Sequence, residues 1–220
     1  MFKSQKHIFW QAFIVTISIF VIGLFFGMVL ESWRVNKVDD FYQNSEINLL
    51  DVKLQGDIYS QSYFDCEDAI NENIKFADRI FEESKILDRY ESSNQLTEKD
   101  LFFQHKKYDL LRVSLLLNSL EIKEKCNSSY SNVVYFYNYR NPSLKEQAKQ
   151  NTFSKILVEL KKIKGDSIIL IPIAANNNIT SVDLLLSRYN VSKENLPVIL
   201  IDDKRKIYEL ENIDQILRYF

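Results

Sequence analysis

Glycine is scarce in this chain: 220 residues hold four, at positions 23, 27, 56 and 165. A loop that cradles phosphate needs glycines clustered within a few residues, so nucleotide binding of that kind is excluded. Histidine is scarcer still. His7 stands beside an apolar run and His105 is followed by Lys106 and Lys107, which supports neither a zinc site nor a histidine-based triad. The two cysteines, Cys66 and Cys126, are far apart in sequence and form no Cys-x-x-Cys. No basic stretch is concentrated enough to mark a nucleic-acid footprint. Lys3 and Lys6 account for two of the 28 basic residues, and all 30 acidic residues lie beyond position 30, so residues 31–220 carry 26 basic against 30 acidic side chains. Nothing in the pattern calls for a cofactor or a metal.

With 46% apolar and 26% charged residues, the chain has the composition of a folded protein of one or two modest domains. Its most specific signal is Ile8 to Leu30, 23 residues without a charge. At about 1.5 Å per residue a helix of that length crosses a bilayer core. Trp10 and Trp33 bracket the run where aromatic side chains settle at a membrane interface. Met28-Val29-Leu30-Glu31-Ser32-Trp33 offers no small-x-small cleavage site, which favours an uncleaved anchor over a signal peptide. Arg34 and Lys37 nearly balance Lys3, Lys6 and the α-amino group, so charge alone leaves the orientation open. The expectation is N-terminus inside and residues from about Glu31 outside. Gly23 and Gly27 have the Gly-x-x-x-Gly spacing that lets two membrane helices approach, which makes them a candidate dimer face.

From Glu31 to about Tyr63 there is no proline and one glycine, and Val38, Tyr42, Leu49, Val52, Tyr59 and Tyr63 recur at helical spacing with Ser45 and Gly56 in the same stripe. This predicts a stalk whose stripe packs on the next two helices, with a coiled-coil seam as the alternative. A second helix is expected from about Asp65 to Tyr90, with Ala69, Ile70, Ile74, Ala77, Ile80, Phe81 and Leu87 on its apolar face. A third starts at Thr97, with Asp100 in a shortened capping box and Leu96 placed to staple against Leu101. It runs through Tyr108, Leu111, Leu115 and Ile122 to about Lys125, and the two make an antiparallel hairpin turning at 93–96. Arms of about 30 residues bring Cys66 and Cys126 level at its open end. The expectation is a disulfide in an oxidising compartment, and the alternative is two unrelated buried thiols.

The last third is organised around Leu196 to Asp203, Leu-Pro-Val-Ile-Leu-Ile-Asp-Asp, where proline heads a β-branched run and can open a strand. Before it lie a strand at Asn132–Asn138, a helix opened by Pro142 and faced by Leu144, Ala148, Ile156, Leu157, Leu160 and Ile163, and a strand at Ser167–Ile173. Gly165 ends that helix, and Pro172 suggests that the second strand's far end lacks a ladder partner. A short helix boxed by Thr180 and Asp183 follows, carrying Leu184, Leu185 and Tyr189. Afterwards come a hairpin, Val198–Ile201 and Lys206–Leu210 about a solvated turn at Asp202-Asp203, and a terminal helix capped by Asn212. The order is β-α-β-α-β-β-α. With proline opening the third strand, it resembles the thioredoxin-like family over about Asn132 to Phe220.

That resemblance implies a cis Leu196–Pro197 bond beside the turn that carries the redox cysteines in active relatives. Here that turn reads Asn138-Tyr139-Arg140-Asn141-Pro142-Ser143 and holds no sulfur, so dithiol exchange at the usual place is impossible. A peptide-binding role can survive that loss, with Arg140, Asn141, Leu196 and Pro197 as candidate binding residues. The domains expected are an anchor at 1–30, a helical stalk and hairpin at 31–126, and a thioredoxin-like domain at 127–220. The functional expectation is a single-pass, extracytoplasmic, redox-inactive protein that meets the bilayer through residues 8–30 and binds a protein partner as a chaperone-like or complex-subunit module. The alternatives are a thiol-disulfide oxidoreductase using Cys66 and Cys126, and a structural, dimeric membrane stalk.

Overall fold

The computed structural model describes residues 3–61, 63–93, 97–126, 128, 130–210 and 212–220, and the backbone alone of 3–7, 31, 33–42, 44 and 45. Helix α1 runs Lys3–Gln61. By internal packing the chain divides into Met1–Ile47 and Asn48–Phe220. In the first unit Ile8–Leu30 is long and apolar enough to cross a membrane, and its side chains are exposed throughout. Expectations placed on the side chains of His7, Trp33, Val38, Tyr42 and Ser45, on Leu96, and on part of the hairpin turn fall outside the described residues.

The second unit begins with the end of α1, where Val52 and Tyr59 are buried while Tyr63, expected on the same stripe, is fully exposed beyond the helix end. Gly56 is required here by close approach: a Cβ at that position would stand 2.5 Å from Asn118 Oδ1. Helix α2, Cys66–Ser92, is capped by Asp65, whose carboxylate accepts from the Glu67 and Asp68 amides. Its buried face includes Ala69, Phe76, Ala77, Ile80 and Leu87, whereas Phe81 stays 37% exposed. Helix α3, Glu98–Lys125, is capped by Thr97, which accepts from the Asp100 amide. The box is not reciprocal, because Asp100 takes the Thr97 hydroxyl at 2.6 Å. Cys66 and Cys126 are joined in a disulfide with Cα atoms 5.7 Å apart, and Tyr59, Ala69 and Ile122 pack around it.

Beyond it lie β1 (Ser131–Tyr137), α4 (Leu144–Lys164), β2 (Ile168–Ala174), α5 (Thr180–Arg188), β3 (Val198–Ile201), β4 (Arg205–Ile207) and α6 (Ile213–Leu217). The sheet is ordered β2-β1-β3-β4, with β1 parallel to β2 and antiparallel to β3, and β3 antiparallel to β4. Strand β1 is central and covered on both faces, which is why Val133, Val134, Tyr135 and Phe136 are apolar without alternation. Val133 and Tyr135 meet Phe153, Leu157 and Leu160 of α4 and Ile216 of α6. On the opposite face Phe136 reaches Tyr189 at the end of α5. The Leu196–Pro197 bond is cis.

Several local expectations are corrected. Pro142 precedes α4, and Ser143 is the cap, in a full box with Glu146 that the Ser-x-x-Glu spacing carried. Leu144 and Ile163 are 86% and 54% exposed, and Phe153 is the missed core residue. Pro172 sits within a complete ladder, opposite Tyr135, tolerated because β2 is an edge strand. Helix α5 begins after Ile179 with no side-chain cap, and Leu184 faces out. Strand β4 starts at Arg205 and ends at Ile207. Gly165 does end α4 at a positive φ of 54°, and Asn212 does cap α6 through the Gln215 amide.

The hairpin packs directly on the sheet, as the short link from Cys126 to β1 predicts. Ser119 donates to Asn132 Oδ1 at 2.6 Å, and Lys123 meets Asp202 at 2.6 Å. Asp202 also accepts from the Asn132 amide at 2.8 Å. The Asp202-Asp203 turn is therefore a clamp and not merely a solvated bend.

Candidate functional site

Asn138 to Ser143 lead from the end of β1 into α4, and side chains from α4 itself and from the loop after β2 hold their backbone. The Asn138 amide donates to Gln150 Oε1 at 2.7 Å, and its side chain donates to Glu146 at 2.9 Å. The Tyr139 and Arg140 amides both donate to Asn176 Oδ1, at 2.9 and 3.2 Å, and Asn176 returns a bond to the Arg140 carbonyl at 2.8 Å. Asn141 takes a positive φ of 49°, a conformation that asparagine tolerates better than most residues. Ser143 and Glu146 close the segment by exchanging bonds: the Ser143 amide donates to Glu146 at 2.7 Å, and the Glu146 amide donates to Ser143 Oγ. These bonds from Ser143, with help from Asn138, hold the Glu146 carboxyl below its ordinary range.

The hairpin supplies the other wall. The rings of Tyr139 and His105 lie 3.9 Å apart, and both bond to Glu91, at 3.2 and 3.3 Å. Burial pushes His105 below its ordinary value despite Glu91, so the imidazole is neutral near pH 7 and one ring N–H serves this contact. Burial, with Glu91, pushes the Tyr139 phenol up. Arg140 is exposed and stands over the Phe102 ring at 4.8 Å. Together Glu91, Lys99, Phe102, Tyr139, Arg140 and Asn141 line an open cleft of about 700 Å³.

Of the four expected binding residues, the structure brings Arg140 and Asn141 into this cleft. Leu196, 4% exposed, lines another cleft of about 470 Å³ with Lys145, Lys149, Glu194, Tyr208 and Glu209, and Pro197 is buried. Sequence reasoning left Asn176 in an unremarked loop and dismissed His105. It also passed over Asp109, which joins hairpin to sheet: Oδ1 accepts from the Ala174 amide at 3.0 Å, and Oδ2 accepts from Asn177 at 2.7 Å. Arg112 stands 3.5 Å from the same carboxylate. Burial pushes Asp109 up, while Arg112 and these donors pull against it. The spacing of 105, 109 and 112 was the available signal, because steps of four and three put polar residues on one helical face.

Comparison of the chain with family models, curated proteins and solved structures finds no match.

Proposed function

We propose that this protein is a single-pass membrane protein, anchored by Ile8–Leu30 with its N-terminus inside, that displays a redox-inactive thioredoxin-like domain outside the cytoplasm to bind a protein partner. The observation that carries the reading is where the sulfur lies. Both cysteines are committed to one bond joining the start of α2 to the end of α3, and the turn after β1 has none. A disulfide of that kind persists in an oxidising compartment, which favours the outside orientation. The strand order β2-β1-β3-β4, the α4 crossover and Pro197 at the head of β3 support the thioredoxin-like assignment. At the α4 N-terminus, where active relatives hold a thiolate, Ser143 and Glu146 occupy the position with a cap. What remains for chemistry is recognition, through the cleft bearing Arg140 and Asn141. Gly23 and Gly27, with nothing within 4 Å of a Cβ at either, are the proposed face for a homodimer.

Two readouts from native membranes test this. Acid quench with differential alkylation should find Cys66 and Cys126 fully oxidised. Free thiols would overturn the orientation, and a population that follows the redox poise would favour an oxidoreductase. A photo-crosslinking residue replacing Asn141 should yield discrete adducts with a second polypeptide. A crosslinker at Asn141 that captures nothing would sink the binding role.

A further inference from the structure

A third cleft, of about 440 Å³, lies between the hairpin and the α4 side of the sheet, and Asn138, Tyr139 and Pro142 of the turn bearing Arg140 form part of its rim. Phe81 of α2, Pro172 of β2 and Val158 of α4 give it apolar walls, and Arg112 of α3 lines it beside Tyr137 of β1, whose phenol it bonds. This volume lies within the range of small-ligand sites, which combine apolar walls with a few fixed polar groups. Arg112 is the unusual member. Its side chain is 9% exposed, and among the described residues its one ion-pair contact is long, 3.5 Å to an Asp109 oxygen that already accepts the Ala174 amide. Its Nε–H has no acceptor among the described residues. A buried charged donor left unsatisfied costs more than the bond it forgoes, so a retained one points to an acceptor from outside the chain. A guanidinium fork matches a carboxylate in shape as well as charge.

We infer that this cleft binds a carboxylate carrying an aliphatic or aromatic tail, with Arg112 taking the carboxylate and Phe81, Val158 and Pro172 taking the tail. Two sources supply that chemistry, a free monocarboxylic acid and the C-terminus of a polypeptide ending in an apolar residue. Asp88, which lines the same cleft, is the group that opposes an incoming anion. The inference does not depend on the orientation proposed above, and although this cleft shares Tyr139 with the one bearing Arg140, it takes a different ligand, on Arg112.

The test uses the full chain in lipid nanodiscs, with fluorine NMR of fluorinated phenylpropanoate and of a short acetylated peptide ending in fluorinated phenylalanine, each beside its amide. Binding of either acid with loss of binding by its amide is expected, and whichever acid binds more tightly identifies the source. Arg112→Gln should weaken binding at least tenfold. Because that change also disturbs Asp109, two further variants keep the inference falsifiable. Val158→Trp, at a residue 40% exposed, should block the tail without touching the charge, and Asp88→Asn should tighten binding a few-fold. Failure of both acids to bind, equal binding of acid and amide, or indifference to Val158→Trp and Asp88→Asn would overturn it, leaving ordered water as the acceptor for Nε.

Discussion

At one end of the α2–α3 hairpin, where α2 begins and α3 finishes, the Cys66–Cys126 bond is wrapped by Tyr59, Ala69 and Ile122, with Phe64 and Ile70 packed outside them. Toward the other end the contacts are polar: Glu91 bonds to His105 and Tyr139, and Asp109 gathers Ala174, Asn177 and Arg112. The first arrangement needs little from its surroundings, because a covalent link and apolar burial are insensitive to exact hydrogen-bond geometry. The second depends on every donor finding its acceptor, and it does not fully succeed. Among the described residues, Gln104, on the same stretch of α3, is completely buried with neither side-chain polar atom partnered, and Arg112 Nε has no acceptor. Buried polar groups left incomplete are poor choices for stability, and each calls for an explanation such as an ordered water, an ion or a functional role. On the function proposed above, stability belongs to one end and recognition to the other.

The contrast breaks most sharply at Asp109. Asp109→Ala strips the acceptor from two donors and leaves Arg112 without its nearest counter-charge, and breaking a buried pair in this way costs about 3–5 kcal/mol. Pulse proteolysis of the detergent-solubilised chain across a urea series should show that loss, and a cost below about 1 kcal/mol would mean that the polar end is not a structural unit. Next in size is the covalent end. Replacing both cysteines with serine opens a loop with sequence separation 60. In the chain-entropy model this removes up to about 4 kcal/mol, less where the unfolded chain keeps residual structure. Crosslinking from Asn141 should survive that change, because none of the bonds that hold the Asn138–Ser143 turn involves the cysteines. Loss of crosslinking with the fold intact would show that the two ends are coupled. Smaller again is Ser143→Ala, which removes one side of the α4 cap at a cost of about 1 kcal/mol.

The sequence carried the stable end far better than the polar one. The reach of two arms of about equal length was enough to pair Cys66 with Cys126, and Tyr108, Leu111, Leu115 and Ile122 announced the inner face of α3 by spacing alone. Strand positions came within a residue or so for β1, β2 and β3, since apolar runs bounded by Pro197, Gly165 and Asn138 leave little choice of period. Asp109, Arg112, Asn118 and Ser119 were not legible as buried, because helical periodicity reads one apolar stripe and α3 is covered on a second face by the sheet. Asn176 was illegible for another reason. Its role is to bond the Tyr139 and Arg140 amides, a contact that only the parallel pairing of β1 with β2 creates.

Asp202 gives the finest test of the comparison, because Lys123 lies near the disulfide end of α3 yet reaches a titratable group on the sheet. Burial pushes the Asp202 carboxyl up, but Lys123 at 2.6 Å, the Asn132 amide at 2.8 Å and Ser131 outweigh it, so the folded chain holds the group below its ordinary value. An unfolded aspartate titrates near about 3.9. Below that value the unfolded chain binds protons that the folded chain still refuses. The stability Asp202 contributes is therefore present above it and lost as pH falls through it toward the folded pKa. Asp202→Asn should flatten this acid limb while leaving the slope near neutrality unchanged. With side chains 25% and 32% exposed, the pair is partly screened, so the difference should stay below about 1 kcal/mol. An unchanged limb would mean that solvent already neutralises the Lys123–Asp202 pair, and that the disulfide end holds its place on the sheet by Ser119–Asn132 and apolar packing alone.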